Sequence, residues 1–431
     1  MLGVSATDRV SEALRLAHES QASLNAFTDI DDEYALARAG EIDGLIDIGT
    51  YAGPLAGAPI GLKDLIDHQG QVTTCGSAFY RVTADSSASA VRRLEEAGGV
   101  IVGRTGLHEF AFGFSSENAH FGAVRNPWDV STSPGGSSGG SGAAVGAGIT
   151  PIAIGTDTGG SVRVPAALCG CYGLKVTYGR IPLDGVFPLV ASIDTVGPLA
   201  NSIENIDLAY RAMSGDDAPE PSLRPLRIGV PQPWYDDAPI DGRVAASFAG
   251  AVADLGAMGH EVRPIVLPDV IPGREIILAI ASEVTAVHAG YLGAGLPYGA
   301  EVRDRMLDCA TVTADESTRG REWQQMIRSR FDDAFDTVDL LLTPTVPAMR
   351  KVIGEESIGD RHYRTVLSWF TSIVNHALLP AIALPLRGST GPPPSLQVIG
   401  PIGSEAQLIG FGRALEENGL VGFVTATVQP G

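Results

Sequence analysis

The most constraining feature of the sequence is a long stretch that is almost free of charge. Between Ser131 and Ala200 only six of 70 residues are charged, about 9%, against 19% for the whole chain. Such a stretch is unsuited to a solvated surface, and we expect it to lie at the buried centre of the fold. It begins with the tract PGGSSGGSG (134–142), whose composition alone is typical of a flexible linker. Because the tract runs directly into an apolar segment, we interpret it instead as a buried glycine loop.

Strands and helices alternate around this stretch. GAPIGLKDLID (57–67) predicts a short buried strand that carries Lys63 to its end, and GGVIVGRTG (98–106) predicts a second strand after a helix over 89–97. The other elements predicted in these regions are helices over about 5–20, capped by Ser5 or Asp8, and over about 31–46, strands over 340–347, 378–386 and 391–401, and a helix over 404–418. The alternation predicts an α/β fold with a layered core.

Charged residues become frequent again after this nearly uncharged stretch. From about residue 221 to residue 348 the sequence predicts a strand in LRIGV (226–230), and helices near 241–258, from Val284 and near 317–335. We interpret 221–335 as a peripheral layer. The chain is then one domain over 1–431, with a core of about 54–210 and 336–431.

Lysine is rare in this chain. Lys63, Lys175 and Lys351 are its three lysines, against 27 arginines. An arginine stays protonated near neutral pH, whereas a desolvated lysine can lose its proton and act as a base. Chance is the favoured explanation for any one lysine taken alone. Lys63, however, lies between apolar residues of the predicted buried strand, where a lysine would be desolvated.

The overall charge and the cysteines exclude several classes of function. The net charge of −20 makes a nucleic-acid surface improbable, because binding phosphate requires a clustered positive field. The four cysteines have no disulfide or zinc-ligand spacing, and the eight histidines show no metal-binding pair. The N-terminus is not of the signal-peptide type, and no uninterrupted apolar run is long enough to span a bilayer. We expect a cytoplasmic protein with no metal, membrane or nucleic-acid partner.

Known loop templates fit the glycine tract poorly. A phosphate-binding loop needs a lysine that is absent here, since no lysine lies between Lys63 and Lys175. The hydrolase elbow G-x-S-x-G matches in letters around Ser137 and Ser138, but no strand precedes it. Two glycine loops that each carry a serine remain, GGSSGG with Ser137 and DTGGS with Ser161, together with the upstream Lys63.

These segments together resemble the amidase signature family of serine hydrolases. The resemblance rests on APIGLKD, ENAHFGAVRNPWD, GGSSGGSGAAVGAG and GTDTGGSVRVPAALCGCYGLKVTYGR, and extends over about residues 54–198. It implies a layered α/β/α fold with a central mixed sheet and no cofactor. It also implies that Ser161 is the nucleophile, Ser137 a bridging serine after a cis peptide bond from Gly136, and Lys63 the terminal base. A serine activated through a relay hydroxyl by a neutral lysine needs no histidine.

The residues around the nucleophile have expected supporting roles. The turn formed by Thr158, Gly159, Gly160 and Ser161 can direct backbone amides at a developing oxyanion. Asp157 and Arg163 are expected to pair and hold this loop, with recognition of a substrate carboxylate as the alternative for Arg163. Other residues expected to support the site or contact substrate are Ser138, Asp194 and Phe187. Phe110, Phe112 and Phe114 fit core packing or a substrate wall, with packing favoured.

The resemblance implies an amidohydrolase that cleaves a small carboxamide or ureido-type amide and releases ammonia or an amine. One alternative is the glutamine-hydrolysing A-type subunit of a tRNA-dependent amidotransferase, although the tyrosine-rich segment expected there is replaced by ATVTADESTRGREWQQ (310–325). Another is the carboxybiuret hydrolase branch, suggested by GVFPLVASIDTVGPLANSIENIDLAYRAM (185–213). A non-catalytic binding relative would have no need of Lys63, Ser137 and Ser161 together. The expected partners are a small amide and a second copy of the chain or, alternatively, a small accessory subunit.

Overall fold

A computed structural model describes residues 4–219, 224–388 and 391–427. Its sheets are formed by the following strands: β1 (Phe27–Ile30), β2 (Pro59–Lys63), β3 (Val72–Thr73), β4 (Val82–Thr83), β5 (Val100–Thr105), β6 (Glu117–Asn118), β7 (Gly122–Ala123), β8 (Ile152–Asp157), β9 (Tyr172–Lys175), β10 (Thr195–Ala200), β11 (Arg227–Gln232), β12 (Glu261–Val266), β13 (Leu340–Pro344), β14 (Ser357–Ile358), β15 (Arg361–His362), β16 (Ala381–Pro385) and β17 (Ser395–Ile399).

The α-helices are α1 (Ala6–Leu24), α2 (Asp32–Asp47), α3 (Ser89–Glu96), α4 (Gly139–Gly146), α5 (Arg163–Cys169), α6 (Ile203–Ser214), α7 (Gly242–Ala257), α8 (Glu275–Gly293), α9 (Ala300–Ala310), α10 (Ala314–Phe335), α11 (Tyr363–Leu367), α12 (Ser372–His376) and α13 (Glu405–Glu417).

Eleven strands form one central sheet in the order β1-β5-β2-β8-β10-β9-β16-β17-β13-β11-β12. Strand β2 pairs in parallel with β5 and β8, and β11 pairs in parallel with β12 and β13. The remaining pairings in the sheet are antiparallel. The predicted α/β class with a central mixed sheet is therefore confirmed.

Helices cover both faces of this sheet. In β5, Val100 and Val102 pack with residues of α1, α2 and α4, whereas Ile101 between them packs in a cluster with residues of α3 and α6. Successive side chains of a strand point to opposite faces, so both faces of β5 are buried. Burial on two faces explains why the core strands read as continuous apolar runs rather than as alternating patterns.

Local capping explains why the first two helices were predictable. The Ser5 side chain accepts a hydrogen bond from the Asp8 amide at 2.9 Å and starts α1, and Asp31 accepts from the Tyr34 amide at 3.0 Å and starts α2. Helix α1 ends at Asn25, which has a left-handed φ of 49°. The short edge strand β1 between the two helices was not predicted, because its four residues show no alternating pattern.

The segment from 224 to 335 contributes strands as well as helices. Strands β11 and β12 extend the central sheet at one edge, while the predicted boundary near residue 221 lies outside the described residues. Helix α8 begins at Glu275 rather than near Val284, and α9 was not predicted. Arg274, which precedes α8, makes no side-chain capping bond, so a start signal is missing from the sequence.

Helix α8 is relevant to whether any helix of this chain could span a membrane. Among the described residues it is the one helix whose length and mean hydropathy, 1.5, would allow it to cross a bilayer. The same test is passed by core helices of soluble proteins. Here α8 packs against α9 and α10 and buries side chains that include Leu278, Ile280 and Val284.

Candidate active site

Lys63 is the last residue of β2, and its side chain is completely buried. Its Nζ lies 2.7 Å from Ser137 Oγ and 2.8 Å from Thr156 Oγ1. Burial lowers the pKa of Lys63 to about 7, although the charges of Asp157 and Asp194 act in the opposite direction. Half of the lysine population is thus neutral near pH 7, within reach of a serine hydroxyl.

Ser137 lies in the loop that leads into α4, and the peptide bond between Gly136 and Ser137 is cis. The Ser137 carbonyl accepts hydrogen bonds from the His108 amide at 3.1 Å and from Ser116 Oγ at 3.2 Å. The next residue, Ser138, donates its amide to the Ser161 carbonyl at 3.3 Å. The two glycine loops that the sequence singled out therefore lie side by side.

The backbone packs closely around this loop, which explains its glycines. A Cβ on Gly136 would lie 2.9 Å from the Ser116 amide nitrogen, and one on Gly160 would lie 2.2 Å from Thr371 Oγ1. Gly160 also has a φ of 128°, a conformation that side-chain-bearing residues rarely adopt. The second glycine loop is thus shaped by close contacts with the C-terminal part of the chain.

Strand β8 ends at Asp157, and the loop Thr158–Ser161 that follows it lies at the site. Gly160 donates its amide to Asp157 Oδ1 at 2.7 Å, so this N–H is already engaged. In the part of the chain that the structure describes, the amides of Thr158, Gly159 and Ser161 have no protein acceptor. The set of free donors near Ser161 is therefore smaller than the four expected from the sequence.

Asp157 and Arg163 form a buried ion pair behind the nucleophile loop. Arg163 donates through Nε to Asp157 Oδ2 at 3.0 Å and through Nη2 to Oδ1 at 2.9 Å. Burial alone would raise the pKa of Asp157, but the guanidinium of Arg163 holds it well below its usual range. The Asp157 carboxylate is therefore ionised and also fixes the Gly160 amide.

The other contacts of Arg163 are with the C-terminal part of the chain. Its Nη1 donates to Gln397 Oε1 at 2.7 Å, and its Nη2 donates to the Thr371 carbonyl at 3.0 Å and to Asn375 Oδ1 at 2.6 Å. Each nitrogen of the guanidinium thus has a protein acceptor, and Arg163 is not among the residues that line the cavity at Ser161. These contacts favour the loop-holding role over recognition of substrate.

Replacing Arg163 with methionine should reduce the free energy of unfolding by about 3–5 kcal/mol, because it leaves the Asp157 carboxylate buried without its counter-charge. Urea unfolding followed by circular dichroism measures this change. The matched control is Arg15→Met, which removes an exposed arginine that pairs with Glu12 and Glu19 on α1. The control should unfold nearly as the parent protein does, and an equal loss in both variants would contradict the structural role of the buried pair.

Asp194 holds the first residue of the nucleophile loop. Its carboxylate accepts from Thr158 Oγ1 at 2.5 Å and from the amides of Leu189 and Val190 at 2.9 and 3.0 Å. Burial raises the pKa of Asp194 to about 6, although these hydrogen bonds favour its ionised form. Asp194 is thus an ionised loop-holding group at neutral pH.

Ser161 opens onto a cavity of about 470 Å³. Its lining includes the loop residues Thr158 and Gly159, the aromatic rings of Phe112 and Phe114, and the arginines Arg274, Arg305 and Arg364. Phe110 and Phe112 are buried in the main core cluster, as the favoured packing role predicted, and Phe114 packs against a smaller cluster. Phe112 and Phe114 also form part of the cavity wall.

Phe187 is not among the residues that line this cavity. Its ring packs against Phe110 and Tyr80, with centroids 5.2 and 5.0 Å apart, in an aromatic cluster that also includes His288. Direct contact with a substrate in the cavity, one of its two expected roles, therefore finds no support in the structure. Phe187 thus belongs to the aromatic core next to the cavity.

Sequence reasoning missed several residues of the site. Thr156, Asn375 and Gln397 contact Lys63, Asp157 or Arg163 from other strands and helices, and no local pattern marks them. Arg305 and Arg364 were also missed, because the sequence contains 27 arginines and nothing separates these two from the rest. Asp64 and Arg104, a second buried ion pair, were likewise not singled out.

Comparison with known proteins agrees with this geometry. The family model described as Amidase matches residues 8–409, which include all of the residues brought together above. The chain belongs to the amidase family. The match also shows that this protein is a hydrolase of amide C–N bonds, and it extends far beyond the segments on which the sequence resemblance rested.

Two curated relatives and one solved structure illustrate the range of similar amidases. The chain is 35% identical to the AtzE subunit of 1-carboxybiuret hydrolase of Pseudomonas sp. (strain ADP), over 96% of each chain. It is 34% identical to the A-type subunit of the glutamyl-tRNA(Gln) amidotransferase of Synechococcus sp. (strain CC9605), over 96% of this chain and 93% of the relative. A crystal structure of an amidase superimposes with a TM-score of 0.91 at 31% identity, over 96% of both chains.

Proposed function

We propose that this amidase hydrolyses a small-molecule carboxamide or ureido-type amide through a covalent acyl-enzyme, with Ser161 as nucleophile, Ser137 as proton relay and Lys63 as base. The observation that carries the proposal is the 2.7 Å contact between Lys63 Nζ and Ser137 Oγ, next to a serine that opens onto a cavity. A buried lysine with a pKa near 7 is matched to general-base work at neutral pH.

In the proposed reaction Ser161 Oγ attacks the carbonyl carbon of the amide. Its proton passes to Ser137 Oγ while the Ser137 proton passes to Lys63 Nζ, so that Ser137 stays neutral and Lys63 becomes an ammonium. Thr156 Oγ1 accepts a hydrogen bond from Nζ at 2.8 Å and orients the lysine. The Lys63 ammonium then returns a proton through Ser137 to the departing nitrogen, and the C–N bond breaks to leave the acyl group on Ser161 Oγ. Water hydrolyses this acyl-enzyme, restores the Ser161 hydroxyl and releases a carboxylic acid, or a carbamic acid from a ureido-type substrate.

The oxyanion that forms in this step requires donors that are in place beforehand. The amides of Thr158, Gly159 and Ser161 are the proposed donors, while Gly160, through Asp157, holds the turn in shape. One such donor contributes about 3–4 kcal/mol in the transition state. Asp157, Arg163 and Asp194 do not contact the reacting atoms in this proposal and act as positioning residues.

Two narrower functions are kept as alternatives, since relatives with these names are about equally similar to the chain. One is glutamine hydrolysis as the A-type subunit of a tRNA-dependent amidotransferase, and the other is carboxybiuret-type hydrolysis. The proposed working form is a cytoplasmic homodimer. Because both relatives are subunits by name, the alternative is a complex with an accessory subunit. Co-purification from the native source followed by gel filtration separates a homodimer from a complex with other chains.

The pH dependence of hydrolysis tests the role of Lys63. With an amide chosen from a panel of aliphatic, aromatic, carboxylated and ureido amides by ammonia release, kcat/KM should rise about tenfold per pH unit below pH 7 and level off above about pH 8. The sign follows from the lowered pKa, because only the neutral lysine accepts a proton. The charged or titratable groups that act on Lys63 are Asp157, Asp194 and Cys75.

Protonation of Asp194 could also cause kcat/KM to rise with pH. Its pKa of about 6 lies below that of Lys63, so protonation of Asp194 contributes mainly at the acidic end of the rise. A flat profile between pH 6 and pH 9, with chemistry shown to limit the rate by single-turnover measurements, would contradict the assignment of Lys63 as base.

A further inference from the structure

Arg305 is a partly buried cation whose charge is not matched by an ion pair in the described part of the chain. It lies on α9 and lines the same cavity as Ser161. Its Nη1 donates to the Phe112 carbonyl, and its Cζ lies 3.8 Å from the centroid of the Phe112 ring. Within the described residues, no carboxylate forms an ion pair with it at 4 Å or less. Both contacts hold the guanidinium in position without neutralising it. The Glu301 carboxylate acts on its charge from a longer distance but forms its ion pair with Arg364.

The neighbouring arginines of the cavity differ from Arg305. Arg364 pairs with Glu301, with Nη1 2.5 Å from Oε1. Arg274 lies at the exposed rim and pairs with Glu316 at 3.3 Å. Burial and the charge of Arg364 together lower the pKa of Arg305 to about 10. The arginine remains charged at neutral pH. Because two neighbouring guanidinium groups repel each other in a partly buried site, an anion bound between them would stabilise both.

The lining of the cavity contains more basic than acidic side chains, unlike the protein as a whole. The chain has a net charge of −20, yet the lining of the cavity includes three arginines against one carboxylate, Asp308. His376, which also lines it, stays neutral because burial lowers its pKa to about 3. Since Arg364 and Arg274 are paired with Glu301 and Glu316, the positive charge of the lining that remains available to an anionic ligand is that of Arg305.

The other lining residues restrict the size and polarity of a ligand that carries the anionic group. Phe112, Phe114, Leu189 and Ile277 provide an apolar surface beside Ser161, and the volume of about 470 Å³ suits a short molecule rather than a polymer. A guanidinium matches a carboxylate in geometry, since its N–H groups form two parallel hydrogen bonds with the two oxygens.

We propose that Arg305, supported by Arg364, binds a carboxylate of the substrate, and that the substrates of this amidase are short amides or ureido compounds that carry a carboxylate. This inference rests on the proposed function, because it places the scissile carbonyl at Ser161. Arg305 is then the residue that determines specificity, while Ser161, Ser137 and Lys63 perform the hydrolysis.

Matched substrate pairs test the inference at pH 8, where Lys63 is mostly neutral. The pairs are malonamate with malonamide, succinamate with succinamide, glutaramate with glutaramide, and hydantoate with its amide. The wild-type protein should show a kcat/KM for the carboxylated member of at least one pair about 100-fold above that for the neutral member. Equal or better hydrolysis of the neutral members would overturn the inference and leave the proposed function intact. Absence of hydrolysis of any amide, including the wider panel, would overturn both.

The variant Arg305→Gln tests whether Arg305 is responsible for the preference for carboxylated over neutral amides. It should reduce the ratio of kcat/KM between carboxylated and neutral members about 100-fold, mainly through a higher KM for the carboxylated amide. The matched control is Arg303→Gln, the same change at an exposed position of the same helix that does not line the cavity, and it should keep the wild-type ratio. A ratio unchanged in Arg305→Gln would overturn the assignment.

A measurement on the wild-type protein covers the case in which Arg305→Gln does not fold. Succinate should inhibit competitively with a Ki at least about tenfold below the KM of succinamide, the neutral substrate of the same length, because only succinate offers carboxylates to Arg305. A Ki of succinate above the KM of succinamide would contradict a carboxylate site in the cavity.

Discussion

Replacement of Ser161 with alanine should abolish amide hydrolysis, lowering kcat by about 10⁶-fold. Ser161 is the hydroxyl that opens onto the cavity beside the free amides of Thr158 and Gly159, so no other serine of the two loops is placed to form the covalent ester. The fold should be unaffected, because the side chain removed is small. Ammonia release under single-turnover conditions measures the loss, and mass spectrometry of the quenched wild-type protein should find the acyl group on the peptide that contains Ser161.

The matched control for this variant is Ser131→Ala. Ser131 is an exposed serine just before the glycine tract, and its side chain bonds to Asp129. Its removal should leave kcat near the wild-type value. Turnover by Ser161→Ala within tenfold of the wild-type rate, or an acyl group on another residue, would contradict the proposed nucleophile.

Replacement of Lys63 with methionine is expected to lower kcat by about 10⁴-fold, because Ser137 then has no base to receive its proton. Methionine fills much of the space of the lysine stem, so the loss reports on the amino group rather than on packing. The residual activity should also lose the rise in kcat/KM between pH 6 and pH 8. Stopped-flow measurement of ammonia release at both pH values provides this readout.

Lys175 is an unusually informative control for Lys63. It is also completely buried, and burial likewise lowers its pKa to about 7. Its Nζ, however, donates to the carbonyls of Val176 at 3.0 Å and Leu379 at 2.7 Å, and it contacts no serine. We expect Lys175→Met to lower stability while keeping kcat within about tenfold of the wild-type value. Equal losses of kcat in the two variants would show that burial of a lysine, rather than its contact with Ser137, accounts for the effect.

The comparison of these two lysines shows what sequence patterns can and cannot distinguish. Both lie in apolar strands, and the sequence separated them through the family resemblance and the position of Lys63 upstream of two serine loops. The structure separates them by contact, because one Nζ reaches a side-chain hydroxyl and the other reaches backbone carbonyls. Desolvation alone therefore does not identify a base; the partner of the amino group does.

The fold was largely predictable because its signals are local. The caps at Ser5 and Asp31, the apolar runs of β2 and β5, and the glycine ends of strands each depend on residues within a few positions. Where such signals are missing, prediction failed: β1 has too few residues to show a pattern, and α8 has no cap at its true start. The loop that carries Ser161 was predictable for another reason, since its glycines and its lack of charge mark a buried turn.

The sequence by itself determined the α/β class, the burial of the nearly uncharged central stretch, and the residue types available at the two serine loops. Only the tertiary structure decided which side chains meet. Lys63 and Ser137 are 74 residues apart, and Arg163 and Asn375 are 212 apart. The packing of Phe187 against Phe110 and the position of Arg305 in the cavity wall depend on how distant elements pack. Packing is a property of the whole core, and no short window of sequence contains it.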